Sequence, residues 1–374
     1  MTIEASSTIN NLSGGRKAWV TLITNPQYIA GLLTLQRTLT SVSSYPLVVM
    51  TTPGLDTYSR EIINGFGIEI VEVEHLTPSS QQHSGFDPKF LRFNDAWSKI
   101  QVFGLTQFER IILIDSDMIF LRDMDELFDL ELPSRDWIAA SPACVCNPFK
   151  LAHYPEDWIP ANCQLNLQNP YTSLNEPPIP DNTPNSENNK RTSHLLNSGL
   201  VIFHPSKNLL DKLIYHLNNS PTILKSKFAD QDVITEVFKG NWKPLPWWCN
   251  ALKTQRAVHK QMWKDDQVRL IHYILDKPWD HRPESLSPFR STSTQLPPTP
   301  ITASNATEFD LTKKDRRPLP QNLIEAVHNT REQESLTNYD HVHSWWWLVY
   351  EEILDEWKNE NKLGWKDIDK YVTR

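Results

Sequence analysis

Residues 109–121 read ERIILIDSDMIFL. An apolar run, Ile111 to Ile114, leads into Asp115-Ser116-Asp117, and apolar residues resume at once with Met118, Ile119 and Phe120. The run predicts a buried strand, 110–115, that ends on an aspartate. Residues two apart in an extended chain point to the same side. Asp115 and Asp117 are therefore expected to face one point just beyond the strand's carboxyl end, where open α/β sheets bind ligands. Two unpaired carboxylates there would repel each other and be costly to desolvate. A divalent cation between them removes both problems, and oxygen ligands suit Mn²⁺ or Mg²⁺. The plainer alternative is a turn with two solvated aspartates.

The flanking sequence fits a strand of that kind. AWVTLIT (18–24), PLVVMTT (46–52) and IEIVEVE (68–74) read as strands, and PQYIAGLLTLQRTLTS (26–41) and TYSREIINGFG (57–67) as helices between them. AWSKIQVFGLTQ (96–107) reads as the helix that enters strand 110–115. This alternation predicts an α/β sheet of mostly parallel strands. Further on come a strand at 198–206, an amphipathic helix at 208–219, a helix at 230–238 and a strand at 268–274. Ser344 to Tyr371 reads as one or two helices. Two Pro/Asn/Ser-rich stretches, about 147–191 and 283–320, resist regular structure and read as lids or insertions. The expected organisation is a flexible tail (1–17), a main domain (18–282) interrupted at about 147–191, a loop (283–320), and a helical extension (321–374) packed on the same domain.

The chain has 374 residues, 39% hydrophobic and 22% charged, so a sizeable core is expected. A formal net charge of −8 without a basic block argues against nucleic-acid binding. No apolar run reaches the roughly 20 residues of a membrane helix. The polar start lacks a signal-peptide core, which points to a cytoplasmic protein. The sequons at Asn11, Asn218 and Asn305 then read as chance matches. Cys144, Cys146, Cys163 and Cys249 form no C-x-x-C pair and read as free thiols, with no zinc site expected. Fourteen tryptophans, clustered at 247–248 and 345–347, read as packing, with a sugar platform as the alternative. His341 and His343 read as helix packing, and Asp265-Asp266 as a solvated turn.

Taken in order, several segments resemble the nucleotide-sugar glycosyltransferases of family 8, the group that includes glycogenin and the plant galactinol synthases. Beside the apolar strand with D-S-D and FLRDMDELF, these are AWVTLITNPQYIAGLLTLQRTL, FNDAWSKIQVFGLTQFERIILIDSD, LLNSGLVIFHPS, FADQDVI and LIHYILDKPW. The resemblance covers about 18–282. It implies a GT-A fold, a Rossmann-like mixed α/β sheet flanked by helices. It also implies a UDP-sugar donor, a divalent cation and retention at the anomeric carbon. Carried over residue by residue, Thr21, Leu22, Thr24, Asn25 and Tyr28 would line the uridine pocket. Lys99, Ser116, Asn197, Ser198 and Gly199 would lie near the donor. His272 would complete the metal site with Asp115 and Asp117, and Lys277 would meet the diphosphate. Asp230 and Gln231 would sit near the anomeric carbon. The acceptor stays open among a sugar, a polyol, a glycan, a protein tyrosine and a lipid headgroup, as does the oligomeric state.

The chain departs from the family pattern between His272 and Lys277. The expected glycine is missing, and Ile274, Leu275 and Asp276 fill the interval. Lys227 replaces an acceptor-side aspartate of glycogenin, and no self-glycosylated tyrosine is marked. Two other readings fit parts of this pattern: a catalytically inactive sugar-nucleotide-binding scaffold, and a phosphatase of the haloacid-dehalogenase type, which also places D-x-D after an apolar strand.

Overall fold

A computed structural model describes residues 15–79, 81, 83, 85, 93–176, 192–286, 316–332 and 335–374. In chain order the strands are β1 (Lys17–Ile23), β2 (Leu47–Thr51), β3 (Glu69–Glu72), β4 (Arg110–Ile114), β5 (Met118–Phe120), β6 (Ile138–Pro142), β7 (Leu196–Phe203), β8 (Trp242–Pro244), β9 (Ala251–Leu252) and β10 (Leu270–His272). The α-helices are α1 (Ile29–Val42), α2 (Thr57–Gly65), α3 (Phe93–Ala96), α4 (Lys207–Asn219), α5 (Asp230–Val237), α6 (Gln255–Val258), α7 (Gln321–His328), α8 (Asp340–Asn359) and α9 (Trp365–Asp369).

Seven strands form one mixed sheet in the order β3-β2-β1-β4-β7-β6-β8. The first four are parallel, β7 runs antiparallel to both β4 and β6, and β8 is parallel to β6. A small second sheet, β5-β10-β9, stands beside the end of β4. From β1 the chain builds outward through β2 and β3, then returns to β4 on β1's other side. The strand order therefore reverses between β1 and β4, and a ligand crevice belongs at their carboxyl ends. Both strands are buried on both faces. Trp19, Ile23, Ile112 and Ile114 join one core, and Ala18, Val20, Ile111 and Leu113 the other.

Sequence logic explains the helices that frame this crevice. α4 starts at Ser206, whose hydroxyl accepts the Leu209 N–H at 3.2 Å, and buries Leu209, Leu213 and Leu217 at four-residue spacing. Each such leucine contributes about 1.5–3 kcal/mol by leaving water. α1 approaches the D-S-D turn so closely that a Cβ at Gly31 would lie 2.8 Å from the Ser116 carbonyl oxygen. Thr38 on the same helix accepts the Phe120 N–H at 3.0 Å, which ties α1 to β5.

The stretch expected to be helical over 96–107 is instead α3 followed by a tighter 3₁₀ winding, Trp97–Gly104. β6, β8 and β9 have no counterpart in the sequence reading: they are five, three and two residues long. Alanine and proline in these segments give little strand signal. Of the long insertion, 147–176 is described, and its regular structure there is limited to 3₁₀ turns. Gln168, Asn169 and Thr172 accept hydrogen bonds from Trp247 and Trp248 and so fasten it to the core. Residues 1–14, 177–191 and 287–315 lie outside the described residues, as do the sequons at Asn11 and Asn305.

α8 packs on α1, and Trp345, Trp346 and Trp347 are fully buried there. It also grips the segment after β10. Trp347 Nε1 donates to the Pro278 carbonyl at 2.7 Å, Tyr273 Oη donates to the Val342 carbonyl at 2.9 Å, and Trp279 and Trp346 rings lie 5.6 Å apart. Among the described residues no helix is long and apolar enough to cross a membrane.

Asp265 is buried, not a solvated turn. It pairs with Arg256 Nε at 2.9 Å and accepts from Trp263 Nε1 at 2.6 Å, and His341 Nε2 lies 3.1 Å away. Burial works against its charge. The bonds from His341, Arg256 and Trp263 prevail and hold the carboxyl down at about 2.

Candidate active site

β4 ends at Ile114 and β5 begins at Met118, so the D-S-D segment spans the gap between the two sheets. The break in the chain leaves both aspartates aimed at His272, the last residue of β10. His272 Nε2 lies 3.5 Å from Asp115 Oδ2 and 3.3 Å from Asp117 Oδ1. These three ligand atoms all lie within 4.8 Å of one another. Asp117 and His272 are buried and Asp115 is partly exposed at the cleft floor.

A chain of hydrogen bonds fixes which histidine nitrogen faces the carboxylates. The Gly199 backbone N–H, which can only donate, meets Asn197 Oδ1 at 3.0 Å. The same oxygen accepts from Asn250 Nδ2 at 2.7 Å, which turns Asn250 Oδ1 toward His272 Nδ1 at 2.9 Å. His272 Nδ1 must then carry the proton, so the neutral ring presents the Nε2 lone pair to the two carboxylates. This is the arrangement of a metal-ligating histidine with its supporting partner. Two carboxylates and an imidazole fit a divalent cation such as Mn²⁺ or Mg²⁺. Gly199 was expected to lie near the donor. The structure gives it a further task, because a Cβ there would lie 2.5 Å from His272 Cε1.

Two lysines reach the same floor. Lys277 Nζ bonds Asp117 and, at 3.0 Å, the Tyr273 carbonyl. Burial would raise the Asp117 carboxyl, but Lys277, joined by His272 when the ring is protonated, outweighs it and holds it far below the usual carboxylate range. Lys99 Nζ lies 2.8 Å from Asp115 Oδ1 and 2.9 Å from Asp230 Oδ2. Burial opposes its charge, and the two carboxylates overcome that and raise its pKa. Asp230 is pushed up to about 6 by burial, with Asp115 adding repulsion and Lys99 only partly compensating.

Asp230 does not cap α5. The N-cap position is Ala229, and Asp232 accepts from Ser226 Oγ and from the N–H groups of Lys227 and Phe228. Asp232 thus secures the turn and leaves Asp230 turned into the site. Ala229 holds φ +44°, a conformation unusual for a residue with a Cβ. Gln231 Oε1 accepts from Asn197 Nδ2 at 3.1 Å and from the Ser198 N–H at 3.4 Å.

The departures near β10 acquire a physical explanation. Leu275 sits at φ +65°, the left-handed region, where glycine was expected. A leucine thus holds a conformation that glycine adopts freely, at a cost of about 1–2 kcal/mol. Asp276 does not oppose Lys277. Its carboxylate turns to buried Lys253 at 3.0 Å, whose Nζ also lies 2.9 Å from His343 Nε2. Burial pushes Lys253 down to about 8 despite Asp276.

One cleft is lined by Leu22, Thr24, Asn25 and Tyr28 from β1 and the turn after it, and by Lys99. Asp115, Ser116 and Asp117 form its floor, with Asn197, Ser198, Gly199, Asp230, Gln231, His272 and Lys277 around them. Thr21 is the exception and a correction. It is fully buried and does not line the cleft, because alternation along β1 turns it away from the side of Leu22 and Thr24. Sequence reading missed Asn250 and Lys253, single polar residues with no motif around them. It also missed the aromatic wall of Tyr154, Trp158 and Phe228, in which Trp158 and Phe228 stack at 5.1 Å. The tryptophans it did single out, Trp247, Trp248 and Trp345 to Trp347, are core residues.

The sequence profile of glycosyl transferase family 8 matches residues 19–282. Galactinol synthase 1 of Solanum lycopersicum is 26% identical over 268 residues, covering 71% of this chain and 74% of the relative. Galactinol synthase 6 of Arabidopsis thaliana is 26% identical over 276 residues, covering 71% and 73%. Among solved structures, the galactosyltransferase LgtC in complex with donor and acceptor sugar analogs is 14% identical, with a TM-score of 0.47 over 71% of this chain and 90% of that one. The chain belongs to glycosyl transferase family 8.

Proposed function

We propose that this family 8 glycosyltransferase moves a hexosyl unit from a UDP-sugar to the hydroxyl of a sugar, polyol or glycan acceptor, with a divalent cation and with retention of configuration. The observation that carries the reading is the convergence of Asp115, Asp117 and His272, with the His272 proton fixed on the far nitrogen by Asn250. Mn²⁺ or Mg²⁺ held there supplies Lewis-acid stabilisation of the departing diphosphate.

The protein's own groups do the rest. Lys277 Nζ brings a second positive charge to the same floor, where negative charge develops. Asn25 and Tyr28, at the carboxyl end of β1, suit a nucleoside at the reversal of strand order. Gln231 has its amide oxygen committed to Asn197 and Ser198, which leaves its NH₂ as the group for sugar hydroxyls. Its place is therefore positional, and an amide is a poor nucleophile. Asp230, with its pKa near neutrality, can accept from or donate to a sugar hydroxyl. Lys99 holds Asp230 and the metal-site carboxylate of Asp115 together. The aromatic wall of the same cleft suits the apolar face of an acceptor ring.

The test is UDP release from a panel of UDP-sugars with Mn²⁺, with and without candidate acceptors, for the wild type and for Asp115→Asn/Asp117→Asn. Release from one donor that the double variant abolishes supports the reading. Mn²⁺-dependent UDP binding without release from any donor, with or without acceptor, would instead favour a scaffold, a reading that the loss of glycine at Leu275 keeps in view. Absence of both would refute the functional reading.

A further inference from the structure

Three of the four cysteines meet around one histidine, sharing no ligand with the carboxylate site although Cys144 lines the same cleft. His259 Nε2 lies 3.5 Å from Cys144 Sγ, 3.3 Å from Cys146 Sγ and 3.4 Å from Cys163 Sγ. All four ligand atoms lie within 4.8 Å of one another. Cys146, Cys163 and His259 are buried and Cys144 is half-buried. Local pattern does not reveal this cluster, since no C-x-x-C pair is present and His259 follows Cys163 by 96 positions.

A ring nitrogen carries at most one proton, so it can serve one sulfur well and not three at nearly equal distance. Equal spacing instead fits four donors around a common centre. With Zn–S about 2.3 Å and Zn–N about 2.0–2.1 Å, a regular tetrahedron places sulfur and nitrogen about 3.6 Å apart. The three observed separations fall just inside that value, and soft thiolates with an imidazole are a zinc donor set. A disulfide satisfies the cluster less well. It would join two sulfurs and leave the third thiol and the histidine to satisfy only each other, which does not account for three sulfurs at nearly equal distance from Nε2. Cys249 stands apart in the core, where burial pushes its thiol well up, and takes no part.

We propose that Cys144, Cys146, Cys163 and His259 form a structural Cys₃His zinc site. Four protein ligands complete the tetrahedron and leave no open position for substrate, which separates this site in kind from the carboxylate centre. Its structural task follows from where the ligands sit. Cys144 and Cys146 come just after β6, Cys163 follows the turn Pro160–Asn162, and His259 follows α6. Between Cys146 and Cys163 there is no strand and no α-helix, yet this stretch carries Tyr154 and Trp158 of the cleft's aromatic wall. A zinc ion would fasten that wall to the layer that holds β9 and β10. The inference does not rest on the donor or acceptor.

The experiment is metal analysis of the purified full chain, grown with added zinc and handled under reducing conditions. Release of zinc on thiol modification is followed with a chromogenic chelator. About one zinc ion per chain is expected, matching one closed site. It should persist in Asp115→Asn/Asp117→Asn, fall to traces in His259→Ala, and return in His259→Cys, which restores a four-ligand set. If His259→Ala does not fold, cobalt substitution of the wild type keeps the test open, since thiolate-to-cobalt charge transfer and tetrahedral bands are expected. A wild type that holds no zinc after reconstitution would overturn the proposal. So would zinc that disappears with the two aspartates, or an intact mass showing a disulfide among the three cysteines.

Discussion

Replacing Gly199 by alanine should disable the carboxylate site through the histidine. The new Cβ would lie 2.5 Å from His272 Cε1, 2.7 Å from Nδ1 and 2.9 Å from Asn197 Oδ1. Carbon contacts settle near 3.5–4.0 Å, so the ring must retreat by about 1 Å. It has no free end to swing away, because it is buried at the end of β10 and held by Asn250. Coordination distances tolerate only about ±0.2 Å, so a shift of that size takes Nε2 out of reach. Disturbed support of a metal-ligating histidine typically costs about 10–100-fold in metal affinity. Overpacking should remove about 1–3 kcal/mol of stability as well. Mn²⁺ titration of UDP release, with Mn²⁺ binding followed directly by electron paramagnetic resonance, measures the first effect, and urea unfolding the second. Half-saturation at the wild-type Mn²⁺ concentration would refute the reasoning even if stability fell. It would mean that β7 yields to the extra carbon while the histidine stays in place.

Leu275→Gly should stabilise the fold by up to about 1 kcal/mol, since the native φ is one glycine adopts freely; urea unfolding would show it as a higher midpoint. Lys277→Met should lower UDP release by about 10²–10³-fold, the scale seen when one charge-stabilising donor is lost. Steady-state assays at saturating Mn²⁺ would show whether the loss is in kcat. Asp265→Asn should cost about 2 kcal/mol at neutral pH, from a carboxyl held at about 2 against an ordinary 3.8. Because the shift is downward, this contribution is complete above the ordinary value and fades as the pH falls through about 2. Equilibrium unfolding from pH 7 down to acid would therefore bring the variant and the wild type together at the low end.

Much of this molecule is written in local pattern. β1, β4 and α4 announce themselves through unbroken apolar runs or four-residue spacing, and such signals survive in any context. The aspartates after Ile114 were legible for the same reason, since acids at the end of a buried strand are conspicuous. Resemblance to a family supplied His272 and Lys277, which no local rule would have separated from ordinary core and surface residues. What stayed hidden depends on the fold bringing distant residues together. Asn250 acts only because Asn197 and His272 stand on either side of it. His259 becomes a ligand only beside three sulfurs from another part of the chain. Thr21 was misplaced for a simpler reason: a strand resembling a pocket wall still turns every second side chain away. β6, β8 and β9 are too short to carry a period at all.

The region recognisable as family 8 stops at residue 282, yet the loop that bears Lys277 is held from beyond that limit. Val342 and Trp347 bond its backbone or its neighbours, His343 shares Lys253 with Asp276, and the Thr373 N–H donates to the Trp279 carbonyl at 2.8 Å. What was inherited as a family and what must fold together are thus different lengths of chain. A shortened protein ending at 282 would keep every proposed carboxylate-site ligand and lose the brace behind Tyr273, Pro278 and Trp279. The loop that bears Lys277 and α8 form one packed unit, and neither is expected to keep its conformation without the other.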